Sequence, residues 1–367
     1  MCNRLSRCVH EPMDKGVTMS EDRRRNNRHR KGGKGKARRH GGAPRATLVE
    51  RHSKSDKLAR QACRERFDAE PRPIAIPIEI EEPRQFSFVW ENNPVDLKTE
   101  SLLAAKVVRK GEFGWLSDER VGEIGQMVDE LEMTLDQALS LRSALLQQKT
   151  VYTHGRLQSR GKQLVRLYRE GVGIVDLSIR FDFPPMNVFR VVLKEMGWSK
   201  ARIKETLRSP SKFKQRERSE FEKAEAADRV SNVDQSETHE RADIFEEILA
   251  DWFEEQGVRL RRQPEMVKEQ TAEHGRPINT PDLLFLDHVE INGEPVSWID
   301  AKHFYGADVD FQRKKITKQS TRYVDSWGQG ALVFRHGFCS NIHIPGTVLL
   351  DCGPLDLAPL GKINGSK

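Results

Sequence analysis

Across residues 238–256 the apolar positions Ile244, Phe245, Ile248, Leu249, Trp252 and Phe253 share one stripe and charges occupy the other, the period of an amphipathic helix. Gly257 is a natural stop for it. The period then shortens. Residues 283–286 (Leu-Leu-Phe-Leu) and 296–302 (Val-Ser-Trp-Ile-Asp-Ala-Lys) read as strands, and Asn292-Gly293 between them is a hairpin signal. A helix over 310–327 follows, and 330–334 and 347–350 read as closing strands. Upstream, over about 115–208, lies a region of helices, so the expected fold class is α+β, a helical N-terminal region followed by a sheet domain.

Three upstream segments, 163–170, 174–181 and 186–196, are spaced as a helix-turn-helix, with Asp182-Phe183-Pro184-Pro185 as the turn between the last two. Residues 186–196 are then the recognition-helix candidate. Asn187, Arg190 and Lys194 fall at i, i+3 and i+7, one polar face able to meet nucleic acid. A trihelical interaction module with a solvated basic face is the alternative. An earlier pair, 118–132 and 135–147, opens with Ser117 as N-cap and Asp118-Glu119 in the first turn. It reads as a first helix-turn-helix module or as a structural support.

Charge divides the chain. Of 367 residues with net charge +7, residues 1–72 hold 21 Lys and Arg against 9 Asp and Glu, a net of +12, leaving −5 for the remaining 295. The runs 23–31 and 32–39 are too polar and glycine-rich to bury a core. They suit import receptors or non-specific phosphate contacts. The organisation expected is therefore a disordered basic tail (1–72), an extended linker (73–114), a tandem helical region (115–208), a charged connector (209–236) and a sheet domain (237–355). No apolar run is long enough for a membrane span. Five scattered cysteines fit a reducing compartment.

Candidate chemistry sits at the two strands. Thr280-Pro281-Asp282 followed by Asp300-Ala301-Lys302 is the PD…(D/E)xK arrangement of a metal-dependent nuclease. Alternation puts Asp300 and Lys302 on one face. A two-residue loop at Asn292-Gly293 sets Asp282 opposite His303, on the wrong face. A three-residue loop, Ile291-Asn292-Gly293, with Gly293 left-handed in a bulge, sets it opposite Lys302, and is the loop expected. Mg²⁺ or Mn²⁺ takes hard oxygen ligands: Asp282 and Asp300 can supply carboxylates, and the Ala301 carbonyl a third oxygen. Lys302 is placed to orient water or phosphate.

These residues, with Gly306 and Gly328-Gln329-Gly330 ahead of Ala331–Phe334, resemble the TPD family of PD-(D/E)xK nuclease-like proteins over about residues 115–350. Members often carry Glu where this chain has Asp300. The resemblance implies tandem helix-turn-helix modules, a restriction-endonuclease-like αβββαβ domain, DNA as ligand and a nuclear setting in eukaryotes. There, a codanin-1-like protein is the implied partner. It also selects Glu246 on the first helix as a further metal ligand, with adjacent Glu247 still open, and Gln319 as a polar contact to phosphate or water. Two functions follow: a metal-dependent endonuclease, or a non-catalytic DNA- or chromatin-associated protein on a nuclease-like scaffold.

Overall fold

The computed structural model describes residues 48–80, 82–230 and 235–361. The chain divides after Arg45, and Ala46–Lys367 forms one unit. The expected disordered tail lies outside the described residues as far as residue 47. From residue 48 the expectation fails, because Leu48–Glu65 is a helix (α1) with Ala59 and Cys63 buried. Its buried face is narrow and made of small residues, so the periodic apolar signal is weak. The 73–114 linker is also corrected: it contains strand β1 (Gln85–Phe88), helix α2 (Leu97–Val107) and the buried Trp90.

Seven helices follow in two groups. Helices α3 (Asp118–Asp129) and α4 (Leu135–Ser159) pack with α2 around Leu103, Val107, Ile124, Val128 and Leu141. Ser117 Oγ accepts from Arg120 N as the expected cap, and Thr134 with Gln137 forms a capping box that starts α4. Helices α5 (Gly161–Arg169), α6 (Ile174–Phe181) and α7 (Pro185–Glu195) match the three upstream segments. Asp182, left-handed at φ 53°, ends α6, and Pro185 opens α7. The expected connector contains a helix, α9 (Gln215–Ala226), which with α8 (Lys200–Arg208) ahead of it seats Ile203, Phe213 and Phe221 in the same core as Phe189.

The remainder runs α10 (Gln235–Glu255), β2 (Leu260–Arg262), α11 (Gln263–His274), β3 (Leu283–Ile291), β4 (Glu294–Lys302), α12 (Asp310–Trp327), β5 (Gly330–Phe334), β6 (Thr347–Leu350) and α13 (Ala358–Gly361). Among the described residues the strands form one mixed sheet ordered β1-β3-β4-β5-β6, with β2 on the same side of β3 as β1. β2 pairs antiparallel with Leu283–Phe285, and β1 pairs parallel with His288–Ile291. Helix α10 covers one sheet face, where Phe245, Leu249 and Phe253 meet Phe285, Ile299 and Val333. Each such fully buried side chain stabilises the fold by about 1.5–3 kcal/mol. Helix α12 covers the other face through Ile316, Tyr323 and Trp327 against Trp298 and Leu332. Beside it, α1 is held by Gln329 N donating to Ala59 O at 2.9 Å.

The hairpin differs from expectation. Ile291 pairs with Glu294, so the loop has two residues, and Asn292 (φ 54°) and Gly293 (φ 78°) are both left-handed. The irregularity lies inside β3. Register runs Val289↔Val296 near the turn and Leu284↔Trp298 at the far end, so three extra residues of β3 bulge out between Leu284 and Val289. An odd shift exchanges the faces of everything beyond it. It brings Asp282 level with Asp300, the facing that the longer loop was expected to produce.

Candidate active site

Where β4 leaves the sheet, its α12-side residues become Trp298, Asp300 and Lys302. The register of β3 continues one step past Leu283 to put Asp282 beside them. All three are buried, at 7% exposure for Asp282, 3% for Asp300 and 7% for Lys302. Asp282 is fixed at both oxygens: Ala301 N donates to Oδ2 at 2.6 Å and Gln263 Nε2 to Oδ1 at 2.9 Å. Lys302 Nζ is in ion contact with Asp300 Oδ2 and donates to Gln319 Oε1 at 3.2 Å. Gln319 Nε2 reaches Asp300 Oδ1 at 3.4 Å and the Tyr323 hydroxyl at 3.3 Å. Tyr323 in turn donates to Thr280 O at 3.2 Å. Helix α12 thereby ties the Thr-Pro-Asp segment to the end of β4.

Glu246 approaches from α10, whose neighbouring Phe245 is fully buried against the sheet. Burial first, then Asp243 and Asp300, push its carboxyl up to about 7, and Lys302 pulls the other way. Asp282 is also raised, again by burial first and then by Asp300 and Glu246. Glu246 and Asp282 thus resist ionisation in a buried setting beside the Asp300 charge, an electrostatic environment that a cation would relieve. Glu247 is exposed and adds only to the repulsion on Glu246. Ala301 enters through its amide rather than through any recorded carbonyl contact.

The donor set suits a hard divalent ion, and Asp300 Oδ2 is a buried oxygen with no hydrogen bond. The contact it has is the Lys302 ammonium, itself a cation. Among the described residues no three His, Cys, Asp or Glu groups are gathered tightly enough to hold an ion as they stand. Asp282 is turned to Ala301 and Gln263, and Asp300 to Lys302.

Lys302 and Gln319 also line a cleft of about 210 Å³ whose other wall is α4, at Ser140, Ser143 and Gln147. The longer reach of α4, past its expected end at 147, was illegible because its charges and apolar residues alternate without a clear stripe. Gln263 and Tyr323 were also missed, both being polar residues at helix positions with no motif around them.

A second missed group is the Asp287 bulge. This carboxylate is fully buried yet accepts from Arg84 N (2.9 Å), Arg84 Nη2 (2.9 Å), Arg259 N (2.8 Å) and Arg259 Nη2 (2.7 Å). Arg66 donates to its backbone carbonyl. These hydrogen bonds outweigh burial and hold its carboxyl well below the usual range. An acid directly after the apolar run Leu283–Leu286 was the available signal.

Of the nucleic-acid candidates, Arg190 and Lys194 are exposed on α7 and line a groove of about 740 Å³ between α7 and α8. Asn187 is half-buried at the start of α7 and does not line it.

Residues 213–352 match the sequence family described as a protein of unknown function with the TPD sequence motif. That stretch begins at Phe213 ahead of α9 and ends just after β6, so it holds the whole site. The TPD match does not extend over helices α2–α8. The chain is also 34% identical over 115 residues to "Uncharacterized protein L539" of Acanthamoeba polyphaga mimivirus, covering 30% of this chain and 40% of that protein. The chain thus spans less than half of that relative's length. No solved structure matches.

Proposed function

We propose that this chain is a metal-dependent nuclease of the PD-(D/E)xK type that hydrolyses phosphodiester bonds of nucleic acid, with DNA as the expected substrate. The observation that carries it is the burial of Asp282, Asp300 and Lys302 together at the strand end, with Gln319 joining Asp300 to Lys302 and the Ala301 amide holding Asp282. Buried ionic groups are weak evidence of stability, and apolar residues in their place often stabilise a fold by 1–4 kcal/mol or so. A scaffold has no use for such a cluster, so the binding-only reading is the weaker one. The order α10-β2-β3-β4-α12-β5, with β5 parallel to β4, supports an αβββαβ core interrupted by α11. A nuclear setting and a codanin-1-like partner follow from the family resemblance alone.

Asp282 and Asp300 would hold Mg²⁺ or Mn²⁺, with Glu246 completing the carboxylate set. The ion, when bound, supplies Lewis-acid polarisation of the phosphate and a more acidic water. Lys302, displaced from Asp300, places its ammonium over the phosphate oxygens, where charge grows during displacement. Gln319 orients Lys302 through Oε1 and Asp300 through Nε2. Gln263 and the Ala301 amide keep Asp282 aimed. Phosphate reaches Lys302 and Gln319 through the cleft against α4.

Calorimetric titration with Mn²⁺ and a cleavage assay on linear and branched DNA test this. Asp282→Ala should lose both metal binding and cleavage. Lys302→Ala should lose cleavage while binding Mn²⁺ at least as tightly as wild type, since its ammonium competes for Asp300. Equal cleavage by wild type and both variants would end the proposal.

A further inference from the structure

The groove between α7 and α8 holds five cations in two rows. Arg190 and Lys194 stand one turn apart on α7; Lys200, Lys204 and Arg208 recur at i, i+4 and i+8 on α8. All five are exposed. The floor between the rows is apolar, made by Met186, Val191, Ile203, Leu207 and Phe221. A recognition helix reading a duplex needs its polar face to stand proud in the major groove. Here α8 rises beside that face, so a duplex meets the second row first. Phosphates have no use for the floor, whereas an unpaired base does. Trp198 lines the rim, its ring stacked against Arg202 at 3.7 Å and Phe213 at 5.8 Å, so the base contacts fall to the apolar floor.

The groove is tied to the candidate site by one helix. Gln147 of α4 lines the cleft at Lys302, and His154 and Gln158 of the same helix line the groove. Gln147 and His154 lie two turns apart on one stripe. At 1.5 Å per residue their separation is about 10 Å. That is the length of about three stacked nucleotides at 3.4 Å each.

We propose that the α7–α8 groove binds an unpaired strand of nucleic acid, its phosphates on the two cation rows and its bases on the apolar floor, continuing along α4 to the candidate site. The substrate class is then nucleic acid with a single-stranded segment about three nucleotides from the scissile phosphate. This deepens the nuclease reading and rests on it for the cleavage position; strand binding stands without it.

The test is fluorescence anisotropy of the full chain in EDTA, where no cleavage occurs. The probes are a labelled oligothymidine, a mixed-sequence single strand and a duplex of the same length. Wild type should bind both single strands more tightly than the duplex. The triple variant Lys200→Gln, Lys204→Gln, Arg208→Gln should lower the slope of log K against log salt for single strands by about 2, three contacts at roughly 0.7 each. A control triple on the exposed face of α5, Lys162→Gln, Arg166→Gln, Arg169→Gln, removes the same charge away from the groove. It should leave that slope unchanged. Equal losses in the two triples, or a duplex bound as tightly as single strand, would overturn the proposal. So would an acidic amphipathic helical peptide that binds wild type and loses binding in the α8 triple while the oligonucleotides bind neither. Single-strand binding with the expected slopes but no cleavage in Mg²⁺ would support the groove and refute the nuclease reading.

Discussion

Replacing Asp287 tests the claim that the β3 bulge is held by a charge. The wild-type carboxylate is sealed from solvent and receives donors from Arg84 and Arg259 through both backbone amides and both guanidinium groups. Hydrogen bonds to charged groups contribute about 1.5–3 kcal/mol each, and removing one partner of a buried pair costs about 3–5 kcal/mol. Arg84 is half-exposed and can turn to water, so the lower figure applies: Asp287→Ala should cost about 3 kcal/mol. At about 2–4 °C per kcal/mol, Tm should fall by roughly 6–12 °C. Urea denaturation followed by tryptophan fluorescence measures the first quantity and calorimetry the second. The sign of the pH effect follows from the depressed carboxyl. Its stabilisation is complete above the unfolded value of about 3.9 and is lost as pH falls through the lower folded value. The gap between wild type and Asp287→Asn should therefore be full at neutral pH and close in strong acid. A loss under about 1 kcal/mol at neutral pH would refute the assignment. Because the bulge sets the register that brings Asp282 to Asp300, Mn²⁺ affinity should fall with stability.

Glu246→Gln should stabilise the metal-free protein at neutral and alkaline pH, because a carboxyl raised to about 7 loses stability as pH climbs from its unfolded value through 7; melting temperatures in EDTA should coincide with wild type in acid, separate as pH rises to 7 and keep a constant gap above it. Deleting residues 1–47 should preserve the melting temperature and flatten the salt dependence of DNA binding, whereas deleting 1–66 should collapse it, since Cys63, Arg66 and Ala59 go with the longer cut. Gly328→Ala should undock α1 and lower Tm: Gly328 sits at φ 78°, and a Cβ there would strike the backbone at Cys63 and Ala59. Hydrogen exchange in α1 reads the undocking directly.

The elements that stood out in the sequence were those with one strong period. Helix α10 announced itself through the Ile244–Phe253 stripe, and α12 and β5 appeared at their observed bounds. Helix α1 did not, since it buries Ala59 and Cys63 among charges and packs through small residues against glycines. Strands β1 and β2 are too short to show alternation. The carboxylates of the site were visible as strings, but their alignment was assigned to the wrong device. A longer hairpin loop and a bulge within β3 shift register equally by parity, and nothing local in the sequence tells them apart. The decisive residues, Arg84 and Arg259, lie far from Asp287 along the chain.

That distance has a consequence for how the molecule is made. Arg84 and Asp287 are separated by 203 residues, and α1 docks on Gln329 from further still. At about 5–20 residues per second, a ribosome takes roughly 10–40 s to travel from one partner to the other. During that interval β1 has no β3 to pair with and the small-residue face of α1 has nothing to cover it, while α5–α9 can already close their own core; the α2–α4 core waits for Tyr305, Ala307, Val309 and Cys339. The sheet is therefore assembled last and from both ends of the chain. Its earliest-synthesised parts are the ones most exposed to chaperones, and nascent chains arrested before Lys302 should carry α1 and β1 in a protease-sensitive state.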